Sequence, residues 1–443
     1  MAVKIIGGGL AGSQAALTVA NAGIETILYE MRPNVETGAH KTSNFAEIVC
    51  SNSLGSKDLS VASGLLKEEL RILGSDLIKT ADECAIGAGG ALAVDREIFS
   101  AKINELIENH PNITVIREEV EKIPTDSPCI ITSGPLTSSK LAADIKIFTE
   151  EEHLHFYDAI APIVEKDSIN FDIAFYANRY DKGDSADYIN CPMNKEQYEK
   201  FYEFLINAPT IELKEFEKGA KFFESCLPVE VIAKRGADTL RFGPLKPVGL
   251  IDKRTNEKNY AVVQLRQDDK AANLYNLVGF QTNLKWGAQK ELINLIPGLE
   301  NANIIRYGVM HRNTFIFSPK ILNPTLQTKK RADLFFGGQI TGVEGYTESI
   351  ATGLLAGLNM VNYIKGYPLI HLSGKTMLGA LCNYITFEDH KTLNPINSNW
   401  GILPALEVEK KYRKDKKYKA AIHVENSTAY IKNLVKENIL WQK

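Results

Sequence analysis

The sequence predicts an α/β fold in which a Rossmann-like, two-dinucleotide-binding domain is split between the two ends of the chain by an inserted mixed α/β domain. Near each end, an apolar strand runs into a glycine-rich turn, and the residue pattern changes between them. The chain has 443 residues, of which 44% are hydrophobic and 24% charged. That usage is typical of globular proteins, and the length predicts more than one core.

The first glycine-rich turn lies at the N-terminus. Residues 3–6 form an apolar, strand-like run, and residues 13–22 follow the turn with helical character. The turn itself reads Gly7-Gly8-Gly9-Leu10-Ala11-Gly12. In such a unit Gly7 permits the tight turn, Gly9 lets the backbone approach a pyrophosphate, and Gly12 allows the helix to pack on the strand. The N–H groups of the helix start, at Leu10 and Ala11, can then bind phosphate.

An acidic residue follows at the expected distance. Residues 25–29 read as the second strand, which ends at Glu30, 18 residues after Gly12. A carboxylate there accepts the ribose hydroxyls of an adenosine and repels a 2′-phosphate, which favours FAD or NAD over NADP. Met31-Arg32-Pro33 follows, a strand-end pattern seen in flavoproteins, so FAD is favoured and Arg32 joins the candidate cofactor-binding residues.

A second glycine-rich turn follows the apolar run 334–336. It reads Gly337-Gly338-Gln339-Ile340-Thr341-Gly342-Val343-Glu344-Gly345-Tyr346-Thr347-Glu348-Ser349 and leads into a helix of small residues. The positive end of that helix would lie against a flavin ring and diphosphate. The candidate cofactor-binding residues here are Gly338, Gln339, Gly342, Tyr346 and Ser349. Because the two turns stand at opposite ends of the chain, the FAD-binding domain is expected to be discontinuous.

The remaining pattern divides the chain into three parts. We expect the first part of the FAD domain over 1–150, the insertion over 151–320, and the second part of the FAD domain over 321–443. Short β-type runs at 113–116 and 129–132 and a helical stretch over 95–109 belong to the first part. The last part contains a basic helix with a lysine-rich stretch over 410–419, either a solvated face or a contact to a phosphate backbone.

Cysteine usage and charge exclude several classes of protein. The six cysteines are widely scattered and contain no CxxC pair, which indicates neither a disulfide framework nor a zinc site. The net charge is only −3, so the overall charge does not indicate a nucleic-acid partner. No stretch approaches the ~20 apolar residues of a membrane span. We therefore expect a cytoplasmic protein without bound metal and with neither a membrane nor DNA as partner.

Two cysteine segments differ from ordinary core. Cys50 is followed by polar residues and lies soon after His40 and Lys41, and Cys226 lies just before Pro228. A reactive thiolate needs an electropositive, partly exposed setting, which His40, Lys41, Lys234 or Arg235 would supply if the fold brings them close. On local grounds alone, a lone cysteine is more often a small buried apolar residue than a catalytic one.

Longer blocks of sequence carry a resemblance along essentially the whole chain. They are Gly7–Gly12 with Glu30-Met31-Arg32-Pro33, Ala39-His40-Lys41-Thr42, Cys50-Ser51-Asn52-Ser53-Leu54, Arg241-Phe242-Gly243-Pro244-Leu245-Lys246-Pro247-Val248-Gly249-Leu250, Val263–Arg266, Ile296–Glu300, Arg306–Thr314 and Gly337–Ser349. In this order they resemble the methylenetetrahydrofolate-dependent tRNA (uracil-5-)-methyltransferases, the TrmFO family, related to GidA/MnmG-type flavoproteins. Gly38 departs from an expected proline and Gly55 from an expected basic residue.

The resemblance implies a reaction and its participants. A methylene group would pass from 5,10-methylenetetrahydrofolate, by way of reduced FAD, to carbon 5 of a uridine in the T-loop of tRNA, with NADH or NADPH as reductant. Cys226 matches the family's proposed nucleophile for carbon 6, and Cys50 the candidate base for the C5 proton. Arg266, His311 and Arg312 would hold folate glutamate or RNA phosphate, or else form salt bridges within the chain. Tyr346 would stack on the isoalloxazine or the folate, or pack in the core.

Three alternatives stay open at this point. The same chemistry would act on a uridine of 23S rRNA, since the motifs concern flavin and uracil rather than the surrounding nucleotides. The chain would otherwise be an NAD(P)H-dependent flavin oxidoreductase, which makes no use of Cys226. A partner-dependent, RNA-binding flavoprotein is the third alternative, and the presence of both cysteines counts against it.

Overall fold

The computed structural model of the chain describes residues 2–151, 154–159, 161–181, 186–211, 227–255, 258–308, 310–412 and 414–437, with 154–159 and 310–312 described by their backbone. Within these residues, no helix is both long and apolar enough to cross a membrane.

The first third of the chain alternates strands and helices. Its elements are β1 Val3–Ile6, α1 Leu10–Asn21, β2 Thr26–Tyr29, β3 Ser53–Ser56, α2 Ala62–Ile72, α3 Asp76–Glu83, β4 Ala85–Ile86, β5 Ala91–Val94, α4 Arg96–Glu108, β6 Ile113–Ile116, β7 Cys129–Ile131 and α5 Ser139–Thr149. The start of α4 shows why such sequences fold locally. The Asp95 carboxylate accepts the N–H groups of Glu97 and Ile98, both at 3.0 Å, and so caps the helix.

The middle of the chain forms mostly antiparallel strands. Its elements are β8 Leu154–Ala159, β9 Ile163–Glu165, β10 Phe175–Tyr176, β11 Tyr188–Met193, α6 Lys195–Asn207, α7 Val229–Ala233, α8 Thr239–Phe242, β12 Ala261–Gln267, β13 Leu274–Leu277, α9 Trp286–Asn294, β14 Ile304–Arg306, β15 Met310–Phe315 and α10 Ser318–Ile321. Six of the strands form one antiparallel sheet in the order β10-β11-β12-β13-β9-β14, and β15 pairs with β8 as a separate ribbon. A second apolar core lies against this sheet.

The last part of the chain returns to the first sheet. Its elements are β16 Leu334–Phe336, α11 Tyr346–Lys365, α12 Met377–Ile385 and α13 Lys416–Lys436. The parallel sheet has the order β16-β7-β1-β2-β6, so a strand from near the C-terminus lies beside strands from the first third. This confirms the predicted α/β class and the discontinuous nucleotide-binding fold. Where the domains begin and end stays a prediction.

A buried carboxylate joins three helices behind this sheet. Glu69 of α2 accepts the N–H groups of Met377 and Leu378, at 2.6 and 2.9 Å, at the start of α12. It also accepts the hydroxyl of Ser427, on α13, at 2.5 Å. Burial raises the pKa of Glu69 to about 7, against the lowering effect of these three hydrogen bonds. The C-terminal helices are therefore attached to α2 through an acid whose proton is held more tightly than in the unfolded chain.

We predict that Glu69→Gln lowers the free energy of unfolding by about 1–3 kcal/mol at pH 5, because one amide oxygen cannot accept both backbone N–H groups. In the native protein the acid's contribution is fully present below about pH 4.5 and is lost as the pH rises through about 7. The difference in unfolding free energy between the wild type and Glu69→Gln should therefore become smaller from pH 5 to pH 8. Thermal unfolding followed by circular dichroism measures this difference at each pH. Glu68→Gln, on the same helix, is the control, and a gap independent of pH would contradict the prediction.

Candidate functional site

A cleft with about 1020 Å³ of empty space, part of it open to solvent, lies at the carboxyl ends of the parallel strands. The residues that line it come from the ends of β1, β2 and β7 and from the beginnings of α1 and α11. In open α/β sheets, ligands bind at this edge, where neighbouring strands continue in different directions. The fold therefore places the two glycine-rich turns on one cavity.

Three of the four glycines of the first turn, Gly7, Gly9 and Gly12, have different surroundings. Gly7 has φ +101°, and a Cβ there would lie 2.7 Å from Thr132 O. A Cβ on Gly9 would meet no atom within 4 Å, so this backbone faces open space in the cleft wall. A Cβ on Gly12 would lie 1.8 Å from Gly7 O, because α1 starts directly against the end of β1. Gly7, Gly9, Leu10 and Ala11 line the cleft, and Gly12 lies behind them.

The acid at the end of β2 is buried and ionised. One oxygen of Glu30 accepts the N–H of Gly8 at 2.9 Å, and the other accepts the N–H and the Nε–H of Arg32 at 3.0 and 2.9 Å. Burial raises the pKa of Glu30, but the hydrogen bonds and the charge of Arg32 together lower it by more. The pKa of Glu30 therefore lies below its ordinary value. Both residues line the cleft.

Arg32 also fixes the loop that follows. Its guanidinium donates to Thr42 O at 3.0 Å and to Asn44 O at 3.1 Å, and it pairs with Glu47 at 3.0 Å. The same loop places His40 in the cleft wall, where His40 Nδ1 lies 2.6 Å from the hydroxyl of Thr37. Arg32 therefore holds both the acid and one side of the cavity.

The second turn closes the opposite wall. Gly338, Gln339, Tyr346 and Ser349 line the same cleft as the first turn. Gly342 lies away from it, where a Cβ would come within 2.7 Å of the side chain of Leu393. The fold brings four of the five candidates predicted in this turn to the cavity, whereas the fifth, Gly342, packs against Leu393.

Cys50 is attached to the beginning of α11. Its N–H donates to the hydroxyl oxygen of Tyr346 at 2.7 Å. Arg96 of α4 donates to Cys50 O at 2.7 Å and to Ile48 O at 3.0 Å, and the same guanidinium pairs with Asp268 at 2.8 Å. The Cys50 backbone is thereby fixed beside a residue of the cleft wall.

Arg266 reaches the same loop from the antiparallel sheet. It lies on β12 and donates to Ser51 Oγ at 2.6 Å and to Asn52 Oδ1 at 3.1 Å. Burial lowers the pKa of Arg266 below its ordinary value. Asn276 of β13 donates to the same Asn52 oxygen at 3.3 Å. Two neighbouring strands of the antiparallel sheet therefore hold the loop after Cys50.

Other sequence candidates lie elsewhere. Cys226, the candidate nucleophile, lies outside the described residues, as do the side chains of His311 and Arg312, whose backbone pairs with β8 in the ribbon. Lys234 and Arg235 are exposed after α7. In the described part of the lysine-rich stretch, residues 410–412 and 414–419, the rings of Tyr412 and Tyr418 stack at 4.1 Å, and none of these residues lines the cleft.

Sequence reasoning missed Arg96 and Asp268. Their ion pair joins α4 to the antiparallel sheet. The two residues are 172 positions apart in the sequence, and neither belongs to a motif. An arginine beside the N-cap of a helix is ordinarily a surface residue. No local pattern could therefore have identified this clamp on the Cys50 loop.

Comparison with known proteins gives relatives for the whole chain. Residues 2–368 match the family model described as "Glucose inhibited division protein A". The chain is 56% identical to the protein named Methylenetetrahydrofolate--tRNA-(uracil-5-)-methyltransferase TrmFO from Halalkalibacterium halodurans, over 98% of this chain and 99% of that one. It is 55% identical to the protein of the same name from Anoxybacillus flavithermus, over 99% and 100% of the two chains.

A solved structure has the same fold. GidA of Aquifex aeolicus, in its form I crystal, superposes with a TM-score of 0.70 at 18% identity, covering 100% of this chain and 76% of that one. At this level of identity the likeness concerns the fold, and it supports the arrangement of the split parallel sheet.

We predict that Arg96→Ala lowers the free energy of unfolding by about 3 kcal/mol, because it leaves Asp268 buried without its ionic partner. It should also speed hydrogen–deuterium exchange at the backbone of the loop that contains Cys50, since two hydrogen bonds to that loop are lost. Mass spectrometry of peptic fragments measures the exchange. Lys102→Ala, which breaks an exposed pair with Glu83, is the control and should cost less than about 1 kcal/mol. Unchanged stability and exchange in Arg96→Ala would refute the clamp.

Proposed function

The chain belongs to the glucose inhibited division protein A family and to that of the methylenetetrahydrofolate–tRNA-(uracil-5-)-methyltransferases, and on this premise we propose that it forms 5-methyluridine in tRNA. The observation that carries the proposal is 56% identity to a named enzyme along 98% of the chain. An enzyme of this name takes its one-carbon unit from methylenetetrahydrofolate. The glycine-rich cleft supports the further proposal that FAD is the cofactor.

The residues of the cleft fit FAD. The open backbone at Gly9 leaves room for a pyrophosphate beside the start of α1, where helix N–H groups have no partner within their own helix. Glu30, whose lowered pKa keeps it ionised at the cleft wall, would accept ribose hydroxyls. Tyr346 and Ser349, at the positive end of α11, would hold the isoalloxazine. When bound and reduced, FAD supplies the carrier of the one-carbon unit and the electrons that convert it to a methyl group.

Two cysteines would act on the uracil itself. Carbon 5 of uracil becomes nucleophilic only after a nucleophile adds to carbon 6, and we assign that addition to the thiolate of Cys226. Its sulfur forms a bond to C6, and the electron pair of the C5–C6 double bond moves toward the C4 carbonyl oxygen. After C5 has formed its new bond, Cys50 would remove the C5 proton, so that the double bond re-forms and the sulfur of Cys226 leaves.

The structure supports the assignment of Cys50 through its surroundings. Tyr346, which lines the cleft, holds the Cys50 N–H at 2.7 Å, and Arg96 and Arg266 bring two positive charges to the loop. Positive charge near a thiol favours its ionised form, which is the form that accepts a proton. A base at this place would stand beside the proposed flavin.

Several finer points complete the proposal. NADH or NADPH would reduce the flavin, and the T-loop uridine of tRNA would be the methylated base, with 23S rRNA as the alternative substrate. We place the enzyme in the cytoplasm. We also propose that residues 1–150 and 321–443 form the FAD-binding domain around an insertion of 151–320, in keeping with the split parallel sheet and the separate antiparallel one.

We predict that the purified protein, supplied with methylenetetrahydrofolate and NADH or NADPH, forms 5-methyluridine in an unmodified tRNA transcript. Cys226→Ala should lose the activity while retaining FAD absorbance, and Cys50→Ala should slow it by about a hundredfold or more. Cys84→Ala, which removes a buried thiol away from the cleft, is the control. Nucleoside analysis by mass spectrometry measures the product on tRNA and 23S rRNA transcripts in parallel.

The outcomes separate the alternatives. Product on rRNA alone would keep the chemistry and replace the substrate. Full activity of Cys226→Ala would remove the nucleophile assignment. Flavin reduction by NAD(P)H without product on either RNA would leave a flavin oxidoreductase or a partner-dependent protein.

A further inference from the structure

We propose that an exposed apolar surface of the insertion, formed by Tyr180, Phe242, Val248 and Ile251 and here called the Phe242 surface, binds unpaired bases of the tRNA. This inference rests on the proposed function, because the RNA that it binds is the substrate of the methyl transfer. It goes further by naming where the protein contacts that RNA outside the catalytic cleft.

The four side chains are unusually exposed for their size. Phe242 is 81% exposed, the highest value for a large apolar side chain in the described part of the chain. Tyr180 is 57%, Ile251 56% and Val248 54% exposed. Groups of exposed apolar side chains on a folded protein commonly mark a binding surface, because water is a poor environment for them.

Hydrogen bonds hold this surface in place. Arg179 donates to the carbonyls of Val248 and of Lys246, the latter at 2.9 Å. The Tyr180 N–H donates to Gly249 O at 2.8 Å, and the Tyr180 ring lies so close to Gly249 that a Cβ there would come within 2.6 Å of it. The exposure of the Tyr180 and Val248 side chains is therefore built into the fold, and little ordering is required when a ligand binds.

The charge around the surface complements a polyanion. Residues 227–255 contain six cationic side chains and three carboxylates in a chain whose net charge is −3. Glu230 is buried, and its carboxyl accepts hydrogen bonds from Thr282 and Asn283, so it contributes little to the surface. Arg241, Lys253 and Arg254 pair with the carboxylates of Asp238, Asp181 and Asp252, and the remaining cations are Lys234, Arg235 and Lys246. Aromatic rings among cations are the combination that binds single-stranded nucleic acid, by stacking on bases and pairing with phosphates.

The position along the chain also favours RNA. Cys226 lies three residues before Val229, the first residue of α7, and three residues span at most ~11 Å. Helix α7 packs on α8, and α8 ends at Phe242. If the Cys226 sulfur reaches carbon 6 of a uracil, the nucleotides flanking that uracil must pass over this part of the insertion.

Phe242→Ala tests the proposal, because the side chain is exposed and its loss should leave folding and FAD content unchanged. We expect the Kd for an unmodified tRNA transcript to rise about tenfold, the usual effect of losing one base stack. The salt dependence of binding should stay the same, since stacking releases no counterions. Lys246→Gln should instead reduce the slope of log Kd against log salt by about 0.7 to 0.9. Ile147→Ala, 75% exposed on α5, is the matched control and should bind as wild type does.

Fluorescence anisotropy at several salt concentrations, with sedimentation of each variant, separates the outcomes. Wild-type affinity in Phe242→Ala would overturn the inference, and so would a change in oligomeric state without a change in tRNA affinity, which would identify a protein interface. Neither result would contradict the proposed function, provided that the wild-type enzyme methylates tRNA. A wild-type protein that neither binds nor methylates tRNA would refute the proposed function and, with it, this inference.

Discussion

The architecture depends on the close contact between α1 and α11. A Cβ at Gly353 of α11 would lie 2.3 Å from Ala11 O of α1, and one at Gly357 would lie 2.9 Å from the side chain of Thr18. Only glycine permits the two backbones to approach this closely. Because α1 continues from β1 and α11 follows β16, the contact brings the positive ends of two helices to one edge of the sheet. Segments from opposite ends of the chain thereby become the two walls of a single cleft.

The loop that contains Cys50 is attached to α11 and to α2. The carbonyl of Leu54 accepts the hydroxyl of Thr347, from α11, at 2.9 Å and the ammonium of the buried Lys67 at 2.8 Å. Burial lowers the pKa of Lys67 to about 8, yet it stays mostly protonated near neutral pH. With Tyr346 holding Cys50, the loop is fixed at both ends against α11. Any shift of α11 relative to α1 would therefore move the thiol as well as the cleft wall.

The parallel sheet could be predicted from the sequence because each of its two nucleotide-binding units is encoded by residues close together in the chain. A buried strand, a glycine turn and a helix stand within about twenty residues at each end, and their order predicts the parallel sheet. The structure confirms the strands predicted at 3–6 and 113–116. Gly342 shows the limit of such reasoning, because its place in the motif matched the others while tertiary packing turned it toward Leu393. The clamp between Arg96 and Asp268 had no local signal, since it forms only when both sheets are folded.

The FAD content of purified Gly353→Ala tests this account most directly. Alanine favours a helix over glycine by about 1 kcal/mol, so any loss must come from the contact with α1 rather than from α11 itself. The account predicts that Gly353→Ala loses bound flavin, measured by absorbance after gel filtration. Gly287→Ala, in α9 with no atom within 4 Å of the added Cβ, should retain it. Stoichiometric FAD in Gly353→Ala, with an unchanged melting temperature, would contradict the claim that the approach of α1 and α11 builds the cofactor cleft.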